Sequence, residues 1–369
     1  SPPSPLPPSR SSRQARTSPL SSPDCPTLVL VGGFLGAGKT TLILRAAELL
    51  HKRGLRAAVI TNDQDCGLVD TRRAEAAQLN TREVPGGCFC CRFSDLLEAA
   101  EQLTAWQPDV IFAEPVGSCI DLSATILQPL KAHHRHQFRL APYTVLVDPE
   151  FAPASDDVAY LHRQQIAEAD LLCLTKSDRA APEPNLPMPI DHRLSALTGA
   201  GVAEWLEDVL HSGRVTGARL LDVDYTRYAE AEAALGWLNI HAEIALNTPL
   251  TPAALTGPLL DQLDADLTAA HASIAHLKLF DQTPTGYVKA GITANGAEPS
   301  AEGDLAASPA TQHELVINLR ALADPAALES IARAALTAIP GAVTIRHIGA
   351  FRPAPPRPEH RFTAPVSDN

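Results

Sequence analysis

The chain has 369 residues, of which 45% are hydrophobic, and its 30 Lys and Arg against 42 Asp and Glu leave a formal net charge of −12. This length suits two domains with ordinary hydrophobic cores. The acidic balance argues against a nucleic-acid partner, which needs clustered Lys and Arg, and with no apolar run of 18 residues we expect no membrane span.

Residues 1–26 are rich in Pro and Ser and are predicted to form a disordered tail. A transit peptide is the alternative, because such peptides are also rich in Ser and Arg and poor in acids. The seven cysteines are odd in number and three fall within four positions. That pattern is typical of a reducing compartment rather than of a disulfide framework, so we expect a cytoplasmic protein.

The first domain, predicted over residues 27–213, has short apolar strands separated by helical patterns. Continuous apolar strands that alternate with helices predict an α/β fold with a parallel sheet covered on both faces. The predicted strands are Thr27–Val31, Ala57–Thr61, Asp109–Ala113, Thr144–Val147 and Leu171–Leu174, and the clearest helices are Lys39 to about Arg53, Ser94–Thr104 and Val158–Glu168.

A second, smaller domain is predicted over residues 237–351, after a junction at 214–236 and before a tail at 352–369. Its pattern is roughly βαββαβ, which is typical of a ferredoxin-like fold. Residues 294–312 are rich in Gly, Ala and Pro and are predicted to form a loop. The predicted elements are strands 238–246, 274–280, 287–293, 315–319 and 342–348 and helices 252–270 and 325–337.

A phosphate-binding loop follows the first strand. Gly33, Gly36, Ala37, Gly38, Lys39 and Thr40 fall within a segment that fits G-x-x-x-x-G-K-[ST] at every fixed position, and Thr41 follows. The glycines allow backbone N–H groups to surround an anion at the start of a helix. Lys39 is predicted to reach the β- and γ-phosphates, and the Thr40 hydroxyl to ligate Mg²⁺.

The segment after the fifth strand indicates which base is bound. Thr175, Lys176 and Asp178 resemble the guanine-reading motif [NT]-K-x-D. A carboxylate at Asp178 can accept hydrogen bonds from both N1–H and the N2 amino group of guanine, whereas adenine offers no such pair of donors. We therefore predict GTP as the nucleotide, and an ATP-dependent kinase is the disfavoured alternative.

Acidic residues at the ends of two strands are candidates for the catalytic machinery. Glu114 ends a buried strand and is predicted to ligate Mg²⁺ together with Thr40, and Gly117 to contact the γ-phosphate. Asp63 follows another strand on the same rim and is predicted to hold metal or to orient water. The predicted catalytic set is Lys39, Glu114 and Asp63.

Three cysteines form a C-x-C-C cluster directly after two glycines. Cys88, Cys90 and Cys91 favour a thiophilic ion, Zn²⁺ or Cu⁺ with Co²⁺ and Ni²⁺ also possible, and a redox pair or simple packing are the alternatives. The fourth ligand is open between Asp63, Cys66, a histidine, water and a partner's side chain. We expect Cys25, Cys119 and Cys173, which stand apart in the sequence, to be core or tail residues.

These motifs together resemble the CobW-type metallochaperone GTPases, over roughly residues 27–350. The resemblance is carried by segments 33–41, 86–91, 114–117 and 175–178, and the C-x-C-C cluster is its most specific mark. It implies GTP hydrolysis, binding of Zn²⁺ or Co²⁺ by the three cysteines, and delivery to a client metalloprotein. The alternatives are an accessory GTPase for metal insertion in cobalamin or tetrapyrrole synthesis, and a sensor with little turnover.

Overall fold

A computed structural model describes residues 25–62, 69–77 and 79–367. Asp63 and Cys66, two of the candidates from the sequence, lie outside the described residues, as does nearly all of the predicted N-terminal tail. Within the described part of the chain, no helix is both long and apolar enough to cross a membrane.

The first sheet is parallel throughout and carries the phosphate-binding loop at the end of its central strand. Its strands lie in the order β3-β2-β4-β1-β6-β7-β8, and β5 pairs with the start of β1. All seven residues of β1 are buried, as expected for a strand covered on both faces. The strands are β1 Thr27–Gly33, β2 Ala57–Asn62, β3 Asn80–Val84, β4 Val110–Glu114, β5 Arg139–Leu140, β6 Thr144–Val147, β7 Leu171–Leu174 and β8 His192–Arg193.

Helices cover this sheet on both faces, and each face has its own hydrophobic core. Trp205, fully buried on α6, packs with α1 on one face, and its indole N–H donates to Thr144 Oγ1 at 3.1 Å. The helices are α1 Lys39–Lys52, α2 Val69–Ala76, α3 Phe93–Thr104, α4 Gln128–His133, α5 Asp156–Glu168, α6 Val202–His211 and α7 Tyr225–Ala233, with a π-helical turn Ser123–Leu127 before α4.

The second sheet is antiparallel, with strand order β12-β11-β10-β13-β9-β14. Strands β9, β10, β13 and β14 with helices α8 and α9 have the predicted βαββαβ connectivity, and the hairpin β11–β12 extends one edge. The predicted α/β fold class is thereby confirmed. The elements are β9 Gly236–Leu250, α8 Pro252–Ala269, β10 Ser273–Thr283, β11 Gly286–Ile292, β12 Ser300–Gly303, β13 Ala310–Leu322, α9 Pro325–Thr337 and β14 Gly341–Phe351.

The prediction of one continuous loop at 294–312 was wrong. Strand β12 and the first residues of β13 lie within that range. The sequence Ser-Ala-Glu-Gly of β12 has no apolar alternation because this short strand lies at the edge of the sheet, where its side chains are largely exposed. Strand β3 was not predicted either, because its sequence Asn-Thr-Arg-Glu-Val is mostly polar and shows no apolar pattern.

Residues 352–367, which we call the C-terminal strap, run along the surface of the first domain. The Phe362 N–H donates to the Ala124 carbonyl at 3.0 Å. The Val366 N–H donates to Gln128 Oε1 at 2.6 Å. Arg361, just before Phe362, forms an ion pair with the buried carboxylate of Asp121 at 2.7 Å. The chain thus returns from the second sheet to the first domain, next to the turn that leads into α4.

Candidate functional site

The phosphate-binding loop has the backbone shape that an anion site requires. Gly33, Gly36 and Gly38 have φ values of 129°, 79° and 92°, which side chains rarely tolerate. A Cβ at Gly33 would also lie 2.5 Å from the Leu146 carbonyl oxygen. No side chain caps the first turn of α1, so its N–H groups remain available to an anion.

Lys39 lies folded across this loop. Its ammonium donates to the carbonyls of Gly33 at 3.0 Å and Phe34 at 3.4 Å. Burial lowers the pKa of Lys39, and the carboxylate of Glu114 opposes that shift. A buried ammonium held only by neutral carbonyls is well placed to exchange them for phosphate oxygens, which give stronger charge-assisted hydrogen bonds.

Thr40 and Glu114 are brought together from positions 74 residues apart. The Thr40 hydroxyl donates to Glu114 Oε1 at 3.0 Å, while the buried Glu114 Oε2 has no hydrogen-bond partner among the described residues. Burial, reinforced by the Asp70 carboxylate, raises the pKa of Glu114 to about 7. An orphaned carboxylate oxygen beside a hydroxyl is a donor set that fits Mg²⁺.

Asp70 is a residue of this site that the sequence did not reveal. It lies in the first turn of α2, within hydrogen-bonding reach of the Thr40 hydroxyl. Burial alone would raise the pKa of Asp70, but the ammonium of Lys278 outweighs it and holds that pKa well below its usual range. No motif marks Asp70, because its role depends on how α2 packs against α1.

Gly117 lies directly against Lys39. A Cβ at Gly117 would come within 2.7 Å of Leu35 Cδ2 and 3.1 Å of Lys39 Nζ, so a larger residue would have to displace these side chains. The side-chain amide of Gln165 donates to the carbonyls of Gly117 and Cys119, both at 3.0 Å. The segment after β4 is therefore held between the phosphate end of the site and α5.

The nucleotide motifs line one cleft of about 390 Å³, a volume within the roughly 300–1,000 Å³ of ligand pockets. Gly36 to Thr41 lie at one end, and Thr175, Lys176 and Asp178 lie at the other with Ala196. Lys176 has a φ of 53° and pairs with the Asp148 carboxylate. The structure thus brings together the loop and the base-reading segment, as their shared position at the carboxyl ends of parallel strands requires.

The three cysteines of the C-x-C-C cluster converge. Their Sγ atoms are separated by 2.7 Å between Cys88 and Cys90, 3.3 Å between Cys88 and Cys91, and 3.7 Å between Cys90 and Cys91. Tetrahedral Zn²⁺ with Zn–S bonds of about 2.3 Å places its sulfurs roughly 3.8 Å apart. Gly86 and Gly87, with φ values of 79° and 156°, allow the tight turn that gathers the thiols.

Cys119 joins this cluster, although the sequence led us to expect an isolated core or tail residue. Its buried thiol lies close enough to Cys88 to influence that residue's ionisation. Interactions with the thiols of Cys119, Cys90 and Cys91 hold the pKa of Cys88 well below its ordinary value, whereas burial raises the pKa of Cys119. The first thiolate therefore forms at Cys88. In the sequence, the one sign of a role for Cys119 is its position two residues after Gly117. Its distance along the chain from Cys88, Cys90 and Cys91 gave no reason to group it with them.

Asn62 connects the cleft to the cysteine loop. At the end of β2, Asn62 lines a second, small cavity that shares Lys39, Glu114 and Lys278 with the cleft. Its side-chain amide donates to the carbonyls of Val84 at 2.8 Å and Gly87 at 2.7 Å, and its Oδ1 accepts from the Phe89 N–H at 2.9 Å. A displacement of Asn62 would therefore be transmitted directly to the backbone that presents the thiols.

Helix α7 supports the same region from the predicted junction. The Ser118 hydroxyl, between Gly117 and Cys119, donates to the buried carboxylate of Glu232 at 2.5 Å. Burial, with help from the charge on Cys88, raises the pKa of Glu232 to about 8. The junction thus contributes a buried acid next to the cysteine cluster. The sequence had indicated no chemical role for this junction.

The C-terminal strap lies over the cysteines. The Arg357 N–H donates to Cys91 Sγ at 3.0 Å, and the Glu359 N–H donates to the Cys90 carbonyl at 2.9 Å. The Glu359 carboxylate accepts from the Ser94 hydroxyl at 2.6 Å. Access to the half-buried Cys91 therefore depends on the position of the strap.

Loosening the strap is expected to expose Cys91. In a Glu359→Ala/Arg361→Ala variant the strap loses its side-chain hydrogen bonds to Ser94 and Asp121, so alkylation of Cys91 by iodoacetamide should accelerate about ten-fold. Peptide mass spectrometry over time gives the rate. The matched control is Glu329→Ala/Arg333→Ala, which removes an ion pair on α9. An alkylation rate equal to that of the control would show that the strap does not shield the thiol.

A phosphate-binding loop, a helix N-terminus and a base-reading segment on one parallel sheet define a P-loop nucleotide-binding protein. Residues 27–199 match the family described as the CobW/HypB/UreG nucleotide-binding domain. This part of the chain therefore resembles the nucleotide-binding domain of that family.

Two relatives from Escherichia coli (strain K12) each match part of the chain. The zinc chaperone YeiR is 32% identical over 164 residues, which are 42% of this chain and 47% of the relative. The zinc chaperone YjiA is 29% identical over 162 residues, 42% of this chain and 50% of the relative. The chain thus matches about half the length of these curated relatives.

Among solved structures, Zn(II)-bound YjiA GTPase from E. coli aligns with 85% of this chain and 99% of its own, at 16% identity and a TM-score of 0.31. HypB from Helicobacter pylori in complex with nickel aligns with 52% of this chain and 91% of its own, at 16% identity and a TM-score of 0.38.

Proposed function

We propose that this protein is a GTP-hydrolysing metallochaperone that carries Zn²⁺ or Co²⁺ to a client metalloprotein. The observation that carries the proposal is the link between the two sites. Asn62 and the segment 117–119 each contact both the phosphate end of the cleft and the cysteine loop. The match of residues 27–199 to the CobW/HypB/UreG nucleotide-binding domain and the similarity to two zinc chaperones support the same function.

Hydrolysis would depend on positioning and charge neutralisation. Lys39 would exchange its two carbonyl partners for phosphate oxygens, and the loop amides would hold the remaining phosphate charge. Thr40 and Glu114 would hold Mg²⁺, which neutralises charge developing on the phosphates when it is bound. Asp178 would select guanine at the other end of the cleft, and the predicted role of Asp63 in orienting water remains a prediction.

The transported ion would be held by thiolates. Cys88 deprotonates first, and Cys90 and Cys91 complete the three-sulfur set, since a bound cation favours their charged forms too. Cys119 offers a further sulfur in contact with Cys88, next to Gly117. A change at the γ-phosphate that moves Gly117 would therefore reach the metal through two residues of backbone.

The proposal predicts that the affinity for Zn²⁺ depends on the nucleotide. We expect the dissociation constants measured with a non-hydrolysable GTP analogue and with GDP to differ about 5- to 150-fold, the range typical of coupling between two sites. Competition with a chromophoric chelator at saturating nucleotide gives both values. Equal affinities in the two states would remove the chaperone cycle, while GTP hydrolysis itself could be measured independently by phosphate release.

A further inference from the structure

The wall of the cleft that faces the phosphate-binding loop belongs to the second sheet. Strand β10 contributes His276 and Lys278 to this wall, and the end of β11 brings Thr293 against Gly36. A Cβ at Gly36 would lie 2.2 Å from Thr293 Cγ2, which shows how closely the two domains approach. The nucleotide site is therefore bounded by both domains.

Lys278 lies at the phosphate end of the cleft. It lines the cavity that Lys39, Glu114 and Gly117 also line. Its ammonium donates to both carboxylate oxygens of Asp70, at 2.8 and 2.7 Å. Asp70 comes from α2 of the first domain, so this largely buried ion pair joins the two domains where phosphate charge would be placed.

Lys289, on the neighbouring strand β11, differs from Lys278 in one respect. Its partner, Glu302 at 2.9 Å, belongs to the same β11–β12 hairpin and therefore moves with it. The partner of Lys278 belongs to the other domain. The Lys278 pair therefore joins the two domains directly, whereas Lys289 is linked to the first domain through Glu302, which also pairs with Arg73 of α2.

His276 precedes Lys278 by two residues and so lies on the same face of β10. It is 6% exposed, and neither of its ring nitrogens has a hydrogen-bond partner among the described residues. Buried polar groups in folded proteins are nearly always hydrogen-bonded. An imidazole without a partner that lines both parts of the cleft therefore indicates a ligand that supplies one.

We propose that Lys278, with His276 beside it, completes the phosphate site from the second domain by donating to the terminal phosphate of bound GTP. The inference rests on the proposed binding of guanine nucleotide in this cleft. The phosphate oxygens take the place of the Asp70 carboxylate on Lys278, because Lys278 lies with Lys39 and Gly117 at the phosphate end. GDP lacks the phosphate that reaches Lys278, so the second sheet distinguishes the triphosphate from the diphosphate.

The test compares nucleotide affinities of Lys278→Gln and the wild type by calorimetry. We expect the variant to bind a non-hydrolysable GTP analogue about 10- to 100-fold more weakly, as expected for loss of a charge-assisted hydrogen bond, with GDP affinity changed by less than about two-fold. Lys278→Arg should recover most of the affinity for the triphosphate. Recovery by a second cation separates phosphate binding from a purely structural role.

Lys52→Gln, an equal change of charge at an exposed position of α1, is the matched control and should change neither affinity. Equal losses for both nucleotides in Lys278→Gln would overturn the inference, because they would indicate damage to the whole cleft. If the wild type binds GTP and Lys278→Gln keeps the wild-type ratio of GTP-analogue affinity to GDP affinity, the inference is overturned and the proposed function is not. A wild type that binds neither guanine nucleotide would overturn both the inference and the proposed function.

Discussion

Replacing Cys88 with alanine is expected to weaken Zn²⁺ binding about 100- to 1,000-fold. Structural zinc sites bind with roughly 10–16 kcal/mol over four ligands, so each ligand contributes about 2.5–4 kcal/mol. Cys88 should matter at least as much as its neighbours, because its sulfur lies 2.7 Å from that of Cys90 and 3.3 Å from that of Cys91, and because its pKa is the lowered one of the three. Its loss also removes the sulfur that contacts Cys119.

The measurement is a Zn²⁺ titration against a chromophoric competitor, with GTP analogue present. Cys173→Ala is the matched control, because Cys173 is buried on β7 in the opposite core and lies apart from the C-x-C-C cluster. We expect the control to bind Zn²⁺ like the wild type. If both variants retained wild-type affinity, the cysteines would not be the metal site, and their convergence would be a matter of packing.

Replacing Lys39 with alanine is expected to reduce GTP hydrolysis about 100- to 1,000-fold, the typical cost of removing one group that stabilises developing charge. Lys39 is the residue with the clearest geometry for this role, since its ammonium lies over the loop and against Gly117. Binding of the triphosphate should weaken as well, because the cleft loses a buried cation. Release of phosphate from GTP, with ATP as competitor, measures both activity and choice of base.

Lys52→Ala provides the control for this experiment on the same helix. Lys52 pairs with Glu48 in the last turns of α1, on the solvent side. Its removal should leave hydrolysis unchanged, which separates the effect of the ammonium from any general effect on α1. Turnover in Lys39→Ala equal to that of the control would contradict the proposed mechanism.

The phosphate-binding loop and the strands around it could be predicted because their determinants are local. The glycines of segment 33–38 set the backbone shape. The short apolar sequences of β1, β6 and β7 predict buried strands without any knowledge of their neighbours in the sheet. The convergence of Cys88, Cys90 and Cys91 is local too, since only two residues separate the outer pair. The polar edge strands β3 and β12 could not be predicted, because their pairing depends on a neighbouring strand distant in the chain.

By itself, the sequence determined the class of fold, the nucleotide motifs and the three-cysteine cluster, because each depends on residues within about ten positions of one another. The tertiary structure alone decided that Cys119 meets Cys88, that Lys278 meets Asp70 across two domains, and that the strap crosses Cys91. The residues of these pairs are 31, 208 and 266 positions apart. Such contacts follow from how whole elements pack, since the chemical type of a single cysteine, aspartate or lysine carries no information about its distant partner.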